Sequence, residues 1–172
     1  MDSKQLHAKW QELMNAKLKN IKTLKDIEAS DPNVETILVA LRGLHKSEID
    51  VIGENILLNT GGRLLGAYTS VGVTSSIKRA ERDAAEQSYE EMLSTMSIMN
   101  KGGEIGITEA RALAKEQLSE FATEIVWREQ IKNSYEAITD ATEKTISFLQ
   151  SVLKIKNNER MFTNKFSDQT NP

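Results

Sequence analysis

Apolar residues recur at intervals of three and four along most of this 172-residue chain, which is the spacing of one face of an α-helix. The longest such pattern runs from Thr108 to about Arg160 and contains neither glycine nor proline. After a phase shift at Trp127 it continues to the end, and its members are Leu118, Phe121, Ile125, Ile131, Tyr135, Ile138, Ile146, Leu149 and Leu153. A helix of about 50 residues would be roughly 75 Å long. Its apolar stripe has to be covered by antiparallel segments of the same chain, by copies of the chain or by a partner.

The amino-terminal part of the chain predicts two further helical segments. Residues 3–28 carry an irregular apolar face, and the stretch 29–33 then breaks the pattern. Asp31 can cap the next helix and Pro32 fits its first turn. Helical spacing resumes from Val34 to about Asn59, where two glycines allow either one bent helix or two shorter ones.

The stretch 59–74 is the most glycine-dense part of the chain. Its first residues resemble a helix C-cap, and three interpretations stay open: a helix that allows close approach of a neighbour, a mobile hinge, or an apolar contact patch. A helix is predicted to open at Ser75 or Ser76 and to run to about Asn100, with Met92, Met96 and Met99 in its core stripe. The connection to Thr108, the predicted N-cap, is short and favours an antiparallel hairpin.

These patterns together predict an all-α fold. It consists of an elongated antiparallel helical hairpin, about 75–100 and 108–160, with two N-terminal helical segments, arranged as a helical bundle or a coiled-coil-like oligomer. We expect a basic N-terminal helical arm at 1–30, a helical domain at 31–160 with a glycine-rich hinge at 59–74, and a polar tail at 161–172.

Composition narrows the class of protein. Hydrophobic residues make up 39% of the chain but aromatic residues only 5%, which suits packed helices better than a β-sandwich. There is no cysteine, no uncharged apolar run of transmembrane length and no signal sequence, so we expect a cytoplasmic protein without a membrane partner. If a phage encodes it, the compartment would be the host cytoplasm.

Charge is distributed unevenly along the chain. The net charge is -3, yet residues 1–25 carry six lysines against two acidic residues, and residues 150–172 are also basic. One interpretation is that the charges form solvated helix faces. The other is that both ends contact phosphate groups or the acidic middle of a neighbouring subunit. The candidate nucleic-acid contacts are Lys17, Lys19, Lys22, Lys25, Lys154, Lys156 and Arg160.

No pattern in the sequence indicates catalysis. His7 and His45 are isolated, and no nucleophile with a base, metal-ligand spacing or phosphate-binding loop is present. Glu116, Glu120 and Glu124 form an acidic row typical of a surface that faces solvent or a basic partner. We therefore expect no enzyme activity, cofactor or metal.

The run from Thr145 to Arg160, preceded by a long helix that bears Trp127 and Tyr135, resembles small phage-encoded helical proteins, including recombination mediators of the UvsY type. That resemblance covers about the last third of the chain and implies an oligomeric helical protein that binds single-stranded DNA and helps to load a recombinase. The leading hypothesis is a non-catalytic homo-oligomer that acts through protein contacts, as an assembly, adaptor or accessory factor. The alternative is a recombination mediator that binds single-stranded DNA. The apolar row of the long helix supplies the candidate oligomer contacts.

Overall fold

The computed structural model describes residues 2–19, 21, 23–101 and 105–167, and side chains as far as residue 160. These residues form six helices: α1 (Ser3–Leu18), α2 (Leu24–Ser30), α3 (Pro32–Lys46), α4 (Glu54–Asn100), α5 (Ile107–Gln117) and α6 (Ser119–Ser167). The predicted all-α fold class is confirmed.

Helix α3 begins as the sequence predicts. The Asp31 carboxylate accepts hydrogen bonds from the backbone N–H groups of Asn33, at 2.9 Å, and Val34, while Pro32 occupies the first turn. The helix then ends at Lys46, and residues 47–53 form a turn before α4. Of the two arrangements left open for residues 34–59, separate helices are therefore the one observed.

The expectation that a helix ends at Asn59–Gly62 and another begins near Ser75 is wrong. Helix α4 runs from Glu54 to Asn100 and includes the whole glycine-rich stretch 59–74. Every seventh residue on one face, Leu57, Leu64 and Val71, is fully buried. Burial of this row outweighs the cost of about 1 kcal/mol for each interior glycine.

The long carboxy-terminal pattern is not one unbroken helix. Helix α5 starts at Ile107, with Gly106 rather than Thr108 as its N-cap, and ends at Gln117. Leu118 leaves the helical conformation with φ -97° and ψ 15°, and α6 then runs to Ser167. The predicted tail at 161–172 thus begins inside α6, and residues 168–172 lie outside the described part.

The chain divides into two compact units, of which unit 1 comprises the described residues of 1–72 and 136–172. Within it, Arg160 lies 4.0 Å from Glu54, and a β-carbon at Gly61 would lie 3.8 Å from Leu149 Cδ1. The first part of α4 and the last part of α6 therefore run antiparallel. The predicted amino-terminal arm belongs to this unit, and Trp10 of α1 is buried in it.

An aromatic cluster joins α1 to α6 in unit 1. The rings of Trp10 and Phe148 are stacked with centroids 5.0 Å apart, and His7 stacks on both. The Trp10 indole N–H donates to Thr145 Oγ1 at 3.0 Å, and His7 Nε2 lies 2.9 Å from the Leu44 carbonyl oxygen. The Trp10 indole N–H and His7 Nε2 thus each have a hydrogen-bond partner, as buried polar groups usually do.

Unit 2 comprises the described residues of 73–135 and contains the second part of α4, α5 and the start of α6. Its buried cluster contains Leu93, Ala114 and Leu118, with Tyr89, Met92 and Met96 packed against it. Core packing of the first two methionines is as predicted, but Met99 is 74% exposed, so that part of the prediction is wrong. Because Met99 lies at the end of α4, no described helix covers it.

Charged side chains link α4 to α6 in unit 2. Arg82 Nε lies 2.6 Å from Glu129 Oε2, and Lys132 Nζ donates to Glu129 Oε1 at 2.9 Å. The pKa of Glu129 is lowered, mainly by the hydrogen bond from Lys132. The Arg82–Glu129 ion pair thus joins α4 to α6, while Lys132 and Glu129 lie one turn apart on α6 itself.

Candidate interaction surface

Unit 2 buries few hydrophobic side chains for its size. Among its described residues, the buried ones are Leu93, Ala110, Ala114, Leu118 and Tyr135. A unit of about 60 residues is only marginally stable even when it buries a full apolar core. Burial of further apolar surface against another molecule would therefore stabilise unit 2.

A concave feature of unit 2 lies between the end of α4 and α5. This feature, the α4–α5 groove, has a volume of about 920 Å³. Leu93 is buried at its base, while Ile98 and Ile107 at its sides are 71% and 66% exposed. Two large exposed aliphatic side chains thus flank one groove, which makes it a candidate contact site.

The rim of the α4–α5 groove is basic. Lys101, Arg111 and Lys115 line it, against the single acidic residue Glu90 among the described lining. The Arg111 guanidinium lies 3.9 Å from the Glu90 carboxylate, so this pair cancels, and the two lysines leave a surplus of positive charge. An apolar surface with acidic neighbours would complement this groove.

A surface of that type lies near the start of α6. Phe121 is 48% exposed, and Glu120 and Glu124 are exposed beside it. The Glu124 carboxylate accepts hydrogen bonds from Arg128 at 3.0 and 2.5 Å, which partly neutralises it. Together with Glu116 on α5, these residues form the acidic row seen in the sequence. We call Phe121 with Glu120 and Glu124 the α6 knob.

The predicted oligomer contacts fall into three groups. Leu118, Tyr135, Ile138 and Leu149 are buried within the chain itself. The second group is partly buried and consists of Ile125, Ile131, Ile146 and Leu153. Phe121 is the one exposed residue of the row. Of the three ways to cover the stripe, segments of the same chain therefore account for much of it. Ile98 and Ile107 were not singled out in the sequence, because helical spacing alone does not distinguish a covered apolar residue from an exposed one.

Three of the predicted nucleic-acid contacts bind groups of their own chain. Lys17 forms an ion pair with Asp140, the Lys156 ammonium donates to the Asp50 carbonyl oxygen at 2.9 Å, and Arg160 lies near Glu54. The candidate nucleic-acid contacts that are exposed to solvent are Lys19, Lys25 and Lys154. Lys22 lies outside the described residues. The pKa of Asp50 is lowered by a hydrogen bond from Ser3 and by the charges of Lys4 and Lys156.

No group of three His, Asp or Glu side chains in the described part of the chain is placed to hold a metal ion. Within the same ranges, none of the helices combines the length and apolar character needed to cross a bilayer. Comparison of the chain with protein-family models, with curated proteins and with solved structures finds no match.

Proposed function

We propose that the chain is a non-catalytic, homo-oligomeric helical protein that works through protein contacts, as an assembly, adaptor or accessory factor. The observation that carries the proposal is the α4–α5 groove, where Ile98 and Ile107 stay exposed beside the small core of unit 2. A second copy that covers these side chains would remove apolar surface from water, at roughly 25 cal/mol for each Å² buried.

The proposed contact is between unlike surfaces of two copies. The α6 knob of one copy would enter the α4–α5 groove of the next, with Phe121 against Ile98 and Ile107. Glu120 and Glu124 would then face the surplus positive charge of Lys101 and Lys115 on the rim. Because such a contact joins two different patches, it generates a ring if the rotation closes and a filament if it does not.

Sedimentation velocity of matched variants tests the proposal. The test variant, Ile98→Asp with Ile107→Asp, places two charges on the sides of the groove. The control, Val39→Asp with Val51→Asp, makes the same chemical change at exposed positions of unit 1, where the side chains are 54% and 75% exposed. The groove variant should sediment as a monomer with unchanged helix content, while the control should keep the particle size of the unaltered protein.

Two further measurements distinguish the proposed contact from nonspecific association. Phe121→Ala should weaken association, and added salt should weaken it further because exposed charges are screened. If the control pair dissociates the particle as readily as the groove pair, the groove is not the contact. The alternative function, binding of single-stranded DNA as a recombination mediator, stays a prediction that no contact of the described residues favours.

A further inference from the structure

A second concave site lies in unit 1, between α1, α2 and α3, and the assembly surface does not include it. Its volume is about 630 Å³, within the range of roughly 300–1,000 Å³ found for small-molecule sites. Met14, Leu38 and Leu41 form its base, each at most 3% exposed, so the apolar surface open to a ligand comes from the half-buried Leu18 and Leu24. We call this site the α1–α3 cavity.

The charged residues described in the lining of the α1–α3 cavity are basic. Lys19, Arg42 and Lys46 line it, and no acidic residue is among the described lining residues. The Arg42 charge is matched outside the cavity by Glu28, which accepts two hydrogen bonds from it at 2.6 and 2.7 Å. Neither lysine has an ion-pair partner within the described part of the chain, so the cavity carries an uncompensated positive charge beside an apolar base.

His45 adds a polar atom without a partner to this lining. Its ring lies against Trp10, with centroids 6.3 Å apart. Its Nε2 atom is out of solvent and has no hydrogen-bond partner among the described residues. A buried ring nitrogen without a partner costs free energy, which a hydrogen bond to it would recover.

We propose that the α1–α3 cavity binds a single-chain amphiphilic anion, namely a long-chain carboxylate. The alkyl chain would lie against the half-buried Leu18 and Leu24, and the carboxylate would lie between the Lys19 and Lys46 ammonium groups. A neutral lipid would leave the two charges unused, and a small anion would leave these leucines uncovered. A double-stranded or single-stranded nucleic acid has no apolar chain for them.

Isothermal titration calorimetry on the full chain tests this site with three probes. Decanoate carries both the chain and the charge, decanol only the chain, and acetate only the charge. Decanoate should bind about tenfold or more tightly than decanol, because a carboxylate gains charge-assisted hydrogen bonds that an alcohol lacks, and acetate should give no binding heat. In a Trp127→Phe background, Trp10 fluorescence should change with decanoate, since its ring borders His45.

Matched variants decide between a specific site and general charge attraction. Lys19→Gln with Lys46→Gln should weaken decanoate binding about tenfold and leave decanol binding unchanged. The control, Lys9→Gln with Lys25→Gln, removes the same charge from exposed positions outside the cavity and should leave both affinities unchanged. Leu24→Trp, which fills the apolar part, should abolish binding of both chains.

Three results would overturn the proposal. One is equal affinity for decanoate and decanol, which would leave the lysines without a role. Another is an equal loss of decanoate affinity in the test and control lysine pairs. The third is unchanged decanoate binding by the Leu24→Trp variant at full helix content. None of these results depends on oligomer formation, so the site can fail while the proposed function stands, and the reverse also holds.

Discussion

Replacement of Thr145 by valine is expected to destabilise the chain by about 1–3 kcal/mol, the cost of leaving a buried hydrogen-bond donor without a partner. The donor is the Trp10 indole N–H, which lies 3.0 Å from Thr145 Oγ1 on a side chain that is only 4% exposed. Valine and threonine are both branched at the β-carbon and have similar helix propensities, so a change in the helix should contribute little. The loss of this one hydrogen bond therefore accounts for the expected change.

Thr142 provides a matched control one turn earlier on α6. Both threonines are fully buried, and both donate to the carbonyl oxygen four residues back, at 2.7 Å for Thr142 and 2.8 Å for Thr145. Thr142→Val leaves that carbonyl with its helical hydrogen bond and orphans no donor, so we expect a loss of less than about 1 kcal/mol, below that of the Thr145 variant.

The assay is urea unfolding followed by far-ultraviolet circular dichroism at fixed protein concentration and neutral pH. Thermal unfolding should agree, with the melting temperature of the Thr145 variant lower by about 2–4 °C for each kcal/mol. Equal effects of the two valine substitutions would refute the reasoning, because the contact with Trp10 is the difference on which it depends.

Two other substitutions test the surface of the fold. Gly62→Ala should raise the melting temperature by about 2–4 °C, since a β-carbon there meets no atom within 4 Å and the helix gains about 1 kcal/mol; a lower melting temperature would show that a neighbour covers this face. Arg42 lowers the pKa of Glu28 below 4.5 by hydrogen bonding, so the pair stabilises the fold above that pH and is lost as pH falls through the folded-state value. Stability of the native chain relative to Glu28→Gln should therefore decrease on acidification below pH 4.5, and a difference independent of pH would contradict this linkage.

The sequence predicts those parts of the fold that depend on local signals. The Asp31 cap and Pro32 mark the start of α3 because both act within one turn of the chain. Two of the errors arise where distant contacts decide. The glycines near residue 62 suggest a helix end, but burial of Leu64 and its neighbours at seven-residue spacing keeps α4 continuous. Leu118 interrupts the carboxy-terminal helix without a local breaker, and it is buried against Leu93 of another helix.

The candidate surfaces are harder to predict than the helices. Periodicity identifies Ile138 and Leu149 as apolar stripe residues, but only the fold shows that their own chain covers them. Ile98 and Ile107 lie at helix ends, where periodicity says least, and their exposure follows from the way α4 and α5 pack. The α1–α3 cavity brings Lys19 together with Lys46, which are far apart in sequence, so no local pattern could indicate it.

The central claim, that copies of this chain cover one another through unit 2, is tested most directly by the mass of the native particle over a range of concentrations. Multi-angle light scattering on the eluting protein measures that mass without assuming a shape. We predict a particle whose mass is a multiple of 19.3 kDa and falls to 19.3 kDa when Ile98 and Ile107 are both replaced by aspartate. A native chain of 19.3 kDa at every concentration would contradict the account.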